Sequence, residues 1–254
     1  MIAHKRVVIL LLLLTGPPPL LAQNQEPDAE AATAASPLPP VRPLGRRGHL
    51  LWRVHHGTAR QTYAATDATG QLILHSGGVE TGRVPVRVQR YYPRQLRLQM
   101  TTGSLTRSLV FDGQSVAAEQ GSAPTTTERD LVLMVVRNSL EWVFGHLDQG
   151  ALLRPSFEAV APEDFNRTGR PRGIPRAYDA FELALPSERT LIFMHRRSNR
   201  IEVIRRWVGG QDIRVDFTDW RASGPVQLPY RVTWSVNGER RGDLLISQMG
   251  LTLR

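Results

Sequence analysis

The sequence predicts a mainly β fold with some α structure, in which one curved antiparallel sheet is closed by one or more helices. Apolar residues recur at every second position through most of residues 50–254, which is the period of a half-buried strand. Turn-forming residue pairs separate these runs at hairpin spacing. One segment, residues 127–147, has the helical period instead. Because consecutive hairpins form a meander, we expect a single large sheet that curls on itself, and no parallel sheet crossed by helices.

The predicted strands alternate apolar with polar residues, as antiparallel strands with one wet face do. Their apolar positions are Val86, Val88, Leu96, Leu98, Met100, Ile213, Val215, Phe217, Tyr230, Val232, Trp234 and Val236. The turn signals between the runs are Thr69-Gly70, Asp112-Gly113, Ser198-Asn199, Gly209-Gly210 and Asn237-Gly238. We expect residues 48–254 to form one domain.

A helix of about five turns is predicted over residues 127–147. Thr127 and Asp130 resemble a capping box at its start, and Gly150 is the expected stop. Its apolar positions are Leu133, Val136, Leu140, Val143 and Leu147, with Leu131, Val135 and Trp142 on the opposite flank. This apolar surface is wider than one sheet contact requires. Two interpretations stay open: the helix fills the core of the sheet, or it is a lid over a cavity.

The amino terminus resembles an export signal. Lys5 and Arg6 precede a short apolar run at residues 7–14, and a small residue, Ala22, marks a cleavage point. We expect residues 1–22 to be a cleaved signal peptide and the protein to be periplasmic. An uncleaved anchor is the alternative, because Leu20 is a poor residue near a cleavage point. Residues 23–47, rich in Pro and Ala, are expected to be a disordered linker.

Composition and motifs exclude several classes of chemistry. The 254 residues contain no Cys, which excludes disulfides, thiolate metal sites and N-terminal lipid attachment. No serine-nucleophile, dinucleotide-binding or P-loop motif occurs. His55 and His56 are adjacent on a predicted strand, so their side chains point to opposite faces and cannot hold one ion together. We therefore expect no catalytic residue, no metal and no cofactor.

The net charge of +9 comes from interspersed basic and acidic residues. Arginines next to aromatic residues, as in Arg205-Arg206-Trp207, could stack single-stranded nucleic acid. An exported protein rarely meets nucleic acid, so we expect these arginines on the wet face of a strand and no nucleic-acid partner.

Three strings within the predicted sheet resemble one known family. They are Val88-Gln89-Arg90 with Pro93, Arg94 and the run from Leu96 to Leu98; the hairpin string of residues 109–116; and residues 215–221 followed by residues 226–230. Each resembles a strand or hairpin of the outer-membrane lipoprotein carrier superfamily (LolA/LolB-like), and together they span most of residues 50–254. The chain is thus similar to a diverged member of that family.

The resemblance implies an incomplete β-barrel whose apolar concave side is closed by helices and accepts acyl chains of lipids or lipoproteins. The expected ligand-binding residues are Leu96, Leu98, Leu133, Val136, Leu140, Val215, Phe217, Val232 and Trp234. In the family a strand arginine holds the helices shut, and Arg90 matches it best, with Arg94 as the alternative. The absence of Cys fits the soluble carrier branch of the family.

These observations favour an exported, non-enzymatic, monomeric carrier that shields acyl chains and exchanges them with donor and acceptor membrane proteins. At about 0.8 kcal/mol per methylene, moving a chain of about 16 carbons from an apolar environment into water costs roughly 13 kcal/mol. Such cargo therefore needs an apolar cavity to cross an aqueous space. The alternative is a sensor or scaffold that uses the same fold to bind a protein partner. A hydrolase with a dispersed site ranks last, because no nucleophile motif is present.

Overall fold

The computed structural model describes residues 63–91, 95–148, 151–156, 178–185, 188–223 and 226–253. The predicted signal peptide and linker, the His55-His56 pair and Arg94 lie outside these residues. Within them the chain forms twelve strands and two helices, so the predicted mainly β fold is confirmed.

The elements follow one another as five strands, two helices and seven strands. The first five strands are β1 (Tyr63–Ser76), β2 (Val79–Tyr91), β3 (Gln95–Thr102), β4 (Leu105–Phe111) and β5 (Val116–Ala118). The helices are α1 (Thr126–Arg137) and α2 (Leu140–Asp148). The last seven strands are β6 (Leu153–Ser156), β7 (Tyr178–Ala184), β8 (Arg189–His195), β9 (Ile201–Val208), β10 (Gln211–Ser223), β11 (Val226–Val236) and β12 (Glu239–Leu253).

All twelve described strands belong to one antiparallel sheet, in the order β5-β4-β3-β2-β1-β12-β11-β10-β9-β8-β7-β6. The first and last strands of the chain's meander, β1 and β12, pair at its centre. The sheet is not closed into a barrel, since β5 and β6 form its two edges. Because the helices lie between β5 and β6 in the chain, they connect one edge of the sheet to the other.

The sheet is strongly curved. If it were flat, its twelve strands would be roughly 53 Å wide, whereas α1 and α2 are only about 18 and 14 Å long. Yet Phe111 near one edge and Leu183 near the other lie in the same apolar cluster, together with buried residues of both helices. Two short helices can share one core with both ends of the sheet only if the sheet bends around them.

Most of the predicted turns are present. Asn237 and Gly238 both have positive φ at the tip of the β11–β12 hairpin, as the two-residue turn there requires. The turn predicted at Thr69-Gly70 is wrong, because both residues lie inside β1. A Cβ on Gly70 would come within 1.9 Å of the Leu245 carbonyl oxygen, at a point where the pairing of β1 with β12 shifts register. The glycine therefore permits close approach of two strands and does not reverse the chain.

The single predicted helix is in fact two. The break falls at Asn138 and Ser139, where Ser139 Oγ donates to Val136 O (2.8 Å) and accepts from Trp142 N (3.2 Å). A serine hydroxyl that bonds to the nearby backbone competes with helical hydrogen bonds and caps the next helix. The apolar periodicity of the segment contains no information about such a side-chain bond, so it did not predict the break.

The start of α1 also differs from the prediction. Thr125, not Thr127, is the N-cap, and its partner in the capping box is Glu128, not Asp130. Thr125 Oγ1 accepts from Glu128 N, while the Glu128 carboxylate accepts from Thr125 N (2.8 Å). Arg107 on β4 also donates to Glu128, so the first turn of α1 is fixed to the sheet.

The outer face of the sheet carries paired charges. Arginines there contact carboxylates on the same strand, on a neighbouring strand or, for Glu119, directly after β5: Arg83 with Glu80, Arg87 with Asp67, Arg97 with Glu119, Arg205 with Asp212 and Arg214 with Asp216. Neither described helix is long and apolar enough to cross a membrane.

Candidate functional site

The space between the concave face and the helices brings together the predicted ligand-binding residues. Eight of the nine are buried members of one apolar cluster, and Leu133 packs against it while half-buried. β3 contributes Leu96 and Leu98, β10 contributes Val215 and Phe217, β11 contributes Val232 and Trp234, and the helices contribute Leu133, Val136 and Leu140. The alternation of β3, β10 and β11 places all their members on the same face.

These side chains fill most of the space that they enclose. A pocket of only about 10 Å³, room for about one water molecule, lies among them, and its lining includes Leu96, Val136 and Trp142. Sites for drug-sized ligands usually measure about 300–1,000 Å³. This pocket is too small for a long acyl chain, which would enter the core only if the helices moved away from the sheet.

Arg90 lies inside the molecule although it is charged. The inward-facing row of β2 runs Val84, Val86, Val88 and then Arg90, which is 8% exposed. Its Nε lies 3.8 Å from Glu141 Oε2 in the first turn of α2 and has no hydrogen-bond partner within the described part of the chain. Arg90, which the family resemblance matched to the arginine that holds the helices shut, thus reaches the helices, where it lies next to a carboxylate.

A second arginine reaches the helix break from the other half of the sheet. Arg206 on β9 is 3% exposed, and its Nη2 donates to Asn138 Oδ1 at 2.7 Å. Its Nη1 lies 3.6 Å from Glu188 Oε2. Burial lowers the pKa of the Arg206 guanidinium; the nearby Glu188 carboxylate offsets this in part, and Arg137 adds to it. The break between the helices is therefore in contact with both halves of the sheet.

The sequence interpretation missed Arg206 and its partners. Arg206 was expected on the wet face beside Trp207, but the two neighbours point to opposite faces. Arg205 and Trp207 lie on the outer face, where the Arg205 guanidinium stacks on the indole ring at 4.9 Å, while Arg206 points to the core. One sequence feature could have revealed it: Arg206 follows the buried Ile204 by two positions, so on a strand both side chains point to the same, inward face. The same pattern, an apolar row ending in arginine, occurs at Arg90.

One further buried charge lies away from this space, near the ends of β1 and β12. Asp243 accepts hydrogen bonds from His75 Nε2 (2.9 Å), Thr233 Oγ1 (2.6 Å) and Arg240. Burial alone would raise the pKa of the Asp243 carboxyl, but these hydrogen bonds outweigh it and lower the pKa below its ordinary value. The described residues include no group of three side chains placed to hold a metal ion.

Comparison with known proteins supports the fold. No protein-family model matches the sequence, and no curated protein matches it. Among solved structures, a LolA superfamily protein from Nitrosomonas europaea is similar over 82% of this chain and 94% of its own, with a TM-score of 0.52 and 9% identity. A DUF1329 family protein from Desulfovibrio piger is similar over 80% and 92%, with a TM-score of 0.45 and 9% identity. At these identities the likeness concerns the fold alone, and the fold is the LolA-like one that the sequence strings predicted.

Proposed function

We propose that this protein is an exported, periplasmic carrier that binds acyl chains of lipids or lipoproteins between its concave sheet and its two helices. The observation that carries the proposal is the position of the helices. They cover one continuous apolar face that reaches across the curved sheet, and polar contacts join their junction to both halves of that sheet.

The two arginines are the proposed latch. Burying a charge costs free energy of desolvation. Attraction to a partner offsets only part of that cost when the partner is too distant for a hydrogen bond. Arg90 approaches Glu141 only to 3.8 Å, and among the described residues Arg206 makes a single side-chain hydrogen bond, to Asn138. The closed form is therefore held by contacts that water can replace when the helices move. A carrier needs this property, because firmly held cargo must still leave.

A sensor or scaffold that binds a protein partner is the second candidate. The observation that favours it is the filling of the core by the protein's own side chains. In that case the arginines would stabilise a permanently closed molecule, and no acyl chain would enter.

The test is to purify the protein after export, extract it with organic solvent and identify co-purifying lipids by mass spectrometry. In parallel, binding of a fluorescent fatty-acid probe and its displacement by lipid are measured. We expect a lipid in the extract and a saturable probe signal. A protein that carries no lipid and binds no probe would instead support the sensor or scaffold function.

Two buried phenylalanines, one on each face of the sheet, allow a controlled test of where the probe binds. Phe217 is fully buried on the concave face, and Phe193 is fully buried in a separate cluster on the outer face. Both substitutions to Ala create a cavity and lower stability by a similar amount, about 3–5 kcal/mol. Phe217→Ala should change the affinity for the probe, whereas Phe193→Ala should leave it unchanged in the folded protein. Equal effects on affinity would contradict binding on the concave face.

A further inference from the structure

The small pocket is lined by both apolar and charged residues. Leu96 of β3 and Val136 of α1 line it and belong to the main apolar cluster. Arg90 and Glu141 line it as well. Because the pocket has room for only about one water molecule, a hydrocarbon chain would enter here only as the helices move away from the sheet, and it would leave its polar end beside the two charged residues.

The Arg90 side chain at this pocket has unused hydrogen-bonding capacity. Arg90 Nε is buried and makes no hydrogen bond with any described residue. Its distance of 3.8 Å from Glu141 Oε2 is too long for a hydrogen bond. A buried N–H without a partner costs free energy. A hydrogen bond from this group to a ligand acceptor therefore contributes more to binding than the same hydrogen bond would at a group exposed to water.

The two charges also select the charge of that ligand. The Glu141 carboxylate offsets the positive charge of Arg90, so a free carboxylate in the pocket would be attracted by one group and repelled by the other. A neutral group with both an acceptor and a donor suits the pair better. Its carbonyl oxygen accepts from Arg90, and its hydroxyl or amide hydrogen is donated to Glu141.

We infer that this pocket, widened as the helices move away from the sheet, binds the polar linkage of an acyl compound, and that it favours a neutral hydroxy-ester or acyl-amide linkage over a free fatty acid. The inference rests on the proposed function, which supplies the acyl chain, and adds to it the chemical class of the group next to that chain.

The experiment measures displacement of a fluorescent fatty-acid probe by four competitors of equal chain length. They are a 1-monoacylglycerol, an N-acylethanolamine, a 1-alkylglycerol ether without a carbonyl, and a fatty acid. The wild-type protein should bind the ester and the amide about tenfold more tightly than the ether, since each carbonyl makes one charge-assisted hydrogen bond to Arg90. The fatty acid should also bind more weakly than the ester at neutral pH.

Three variants assign these preferences to residues. Arg90→Met, which removes every side-chain N–H donor, should abolish the preference for ester over ether. Glu141→Gln should raise the affinity for the fatty acid relative to the ester, because it removes the repulsion. Arg214→Met is the control: Arg214 is paired with Asp216 outside the pocket, so both preferences should remain.

The outcomes separate the two proposals. A wild-type protein that binds all four competitors equally would overturn the linkage site and leave the carrier function intact. If the probe itself does not bind, the carrier function fails first. Since the preference is measured in the wild type, the inference stays testable even if a variant at Arg90 does not fold.

Discussion

At the scale of single residues, the glycine inside the central strand pair explains how the middle of the sheet is built. Gly70 lies where the backbone of β12 approaches β1 too closely for any side chain. The sequence pattern indicated a turn here because glycine after threonine is a common turn signal. Only the pairing of two strands that are distant in sequence distinguishes the two roles, so a local pattern could not reveal it.

Replacement of this glycine gives the first prediction. Gly70→Ala should lower the free energy of unfolding by about 3 kcal/mol or more, because β1 and β12 must separate to admit the methyl group. Gly250→Ala is the matched control in the same strand pair. Its Cβ would lie 3.8 Å from the nearest atom, Asp67 O, so stability should be unchanged or rise by up to about 1 kcal/mol. Urea denaturation of both variants checks the difference, and similar losses would show that the close contact is not the cause.

The buried carboxylate at Asp243 gives a prediction about pH. Its folded-state pKa is lower than the ordinary value of 3.8, so it contributes stability above that value. The contribution is lost as the pH falls through the depressed folded pKa. Asp243→Asn should therefore cost about 3 kcal/mol at neutral pH, and its difference from wild type should shrink in acid below about pH 4.

Denaturant unfolding at a series of pH values measures this effect. Asp219→Asn is the control, because Asp219 is exposed and forms its ion pair with the exposed Arg221. It should leave the free energy of unfolding nearly unchanged. A constant difference between Asp243→Asn and wild type down to pH 2 would contradict the account of this cluster.

At the scale of elements, the two helices show where sequence periodicity succeeds and where it stops. It correctly placed a helical, widely apolar segment among strands, because burial imposes the helical period on the sequence. It missed the break at Asn138 and Ser139, since that break depends on side-chain hydrogen bonds and on Arg206, which is 68 residues away in the chain.

The start of α1 provides a direct test of the cap. Thr125→Ala should lower the free energy of unfolding by about 1 kcal/mol, because it removes the acceptor for Glu128 N. Thr127→Ala, the position that the sequence favoured, should have little effect. Thermal unfolding of the two variants compares them, and a larger loss for Thr127→Ala would restore the original assignment.

The junction between the helices should open more easily without Asn138. Asn138→Ala leaves the buried Arg206 guanidinium without its acceptor, which penalises the closed position of the helices. Backbone amides of α2 should then exchange with deuterium about tenfold faster than in wild type. Arg129→Ala, at an exposed position of α1, should leave the exchange unchanged. Equal exchange rates in both variants would show that the contact between Asn138 and Arg206 does not hold the helices in place.

At the scale of the whole molecule, the sequence predicted the single curved sheet, its antiparallel pairing and the apolar face on which the helices lie. These features follow from local periodicity and short turns, which one sequence records directly. The order of the strands and the meeting of Arg90 and Arg206 at one helix junction depend on long-range pairing. Neither feature is encoded in a local stretch of sequence; both arise only in the folded chain, where the two halves of the sheet lie close together.

The central claim is that the helices move away from the concave face to admit an acyl chain. The chain contains no Cys, so labels can be attached selectively at Asp130→Cys on the exposed side of α1 and Thr218→Cys on the exposed side of β10. The distance between two spin labels at these positions, measured by pulsed electron paramagnetic resonance with and without saturating monoacylglycerol, tests the claim most directly. We predict that bound ligand lengthens this distance. A distance that stays the same while the ligand is demonstrably bound would contradict the account.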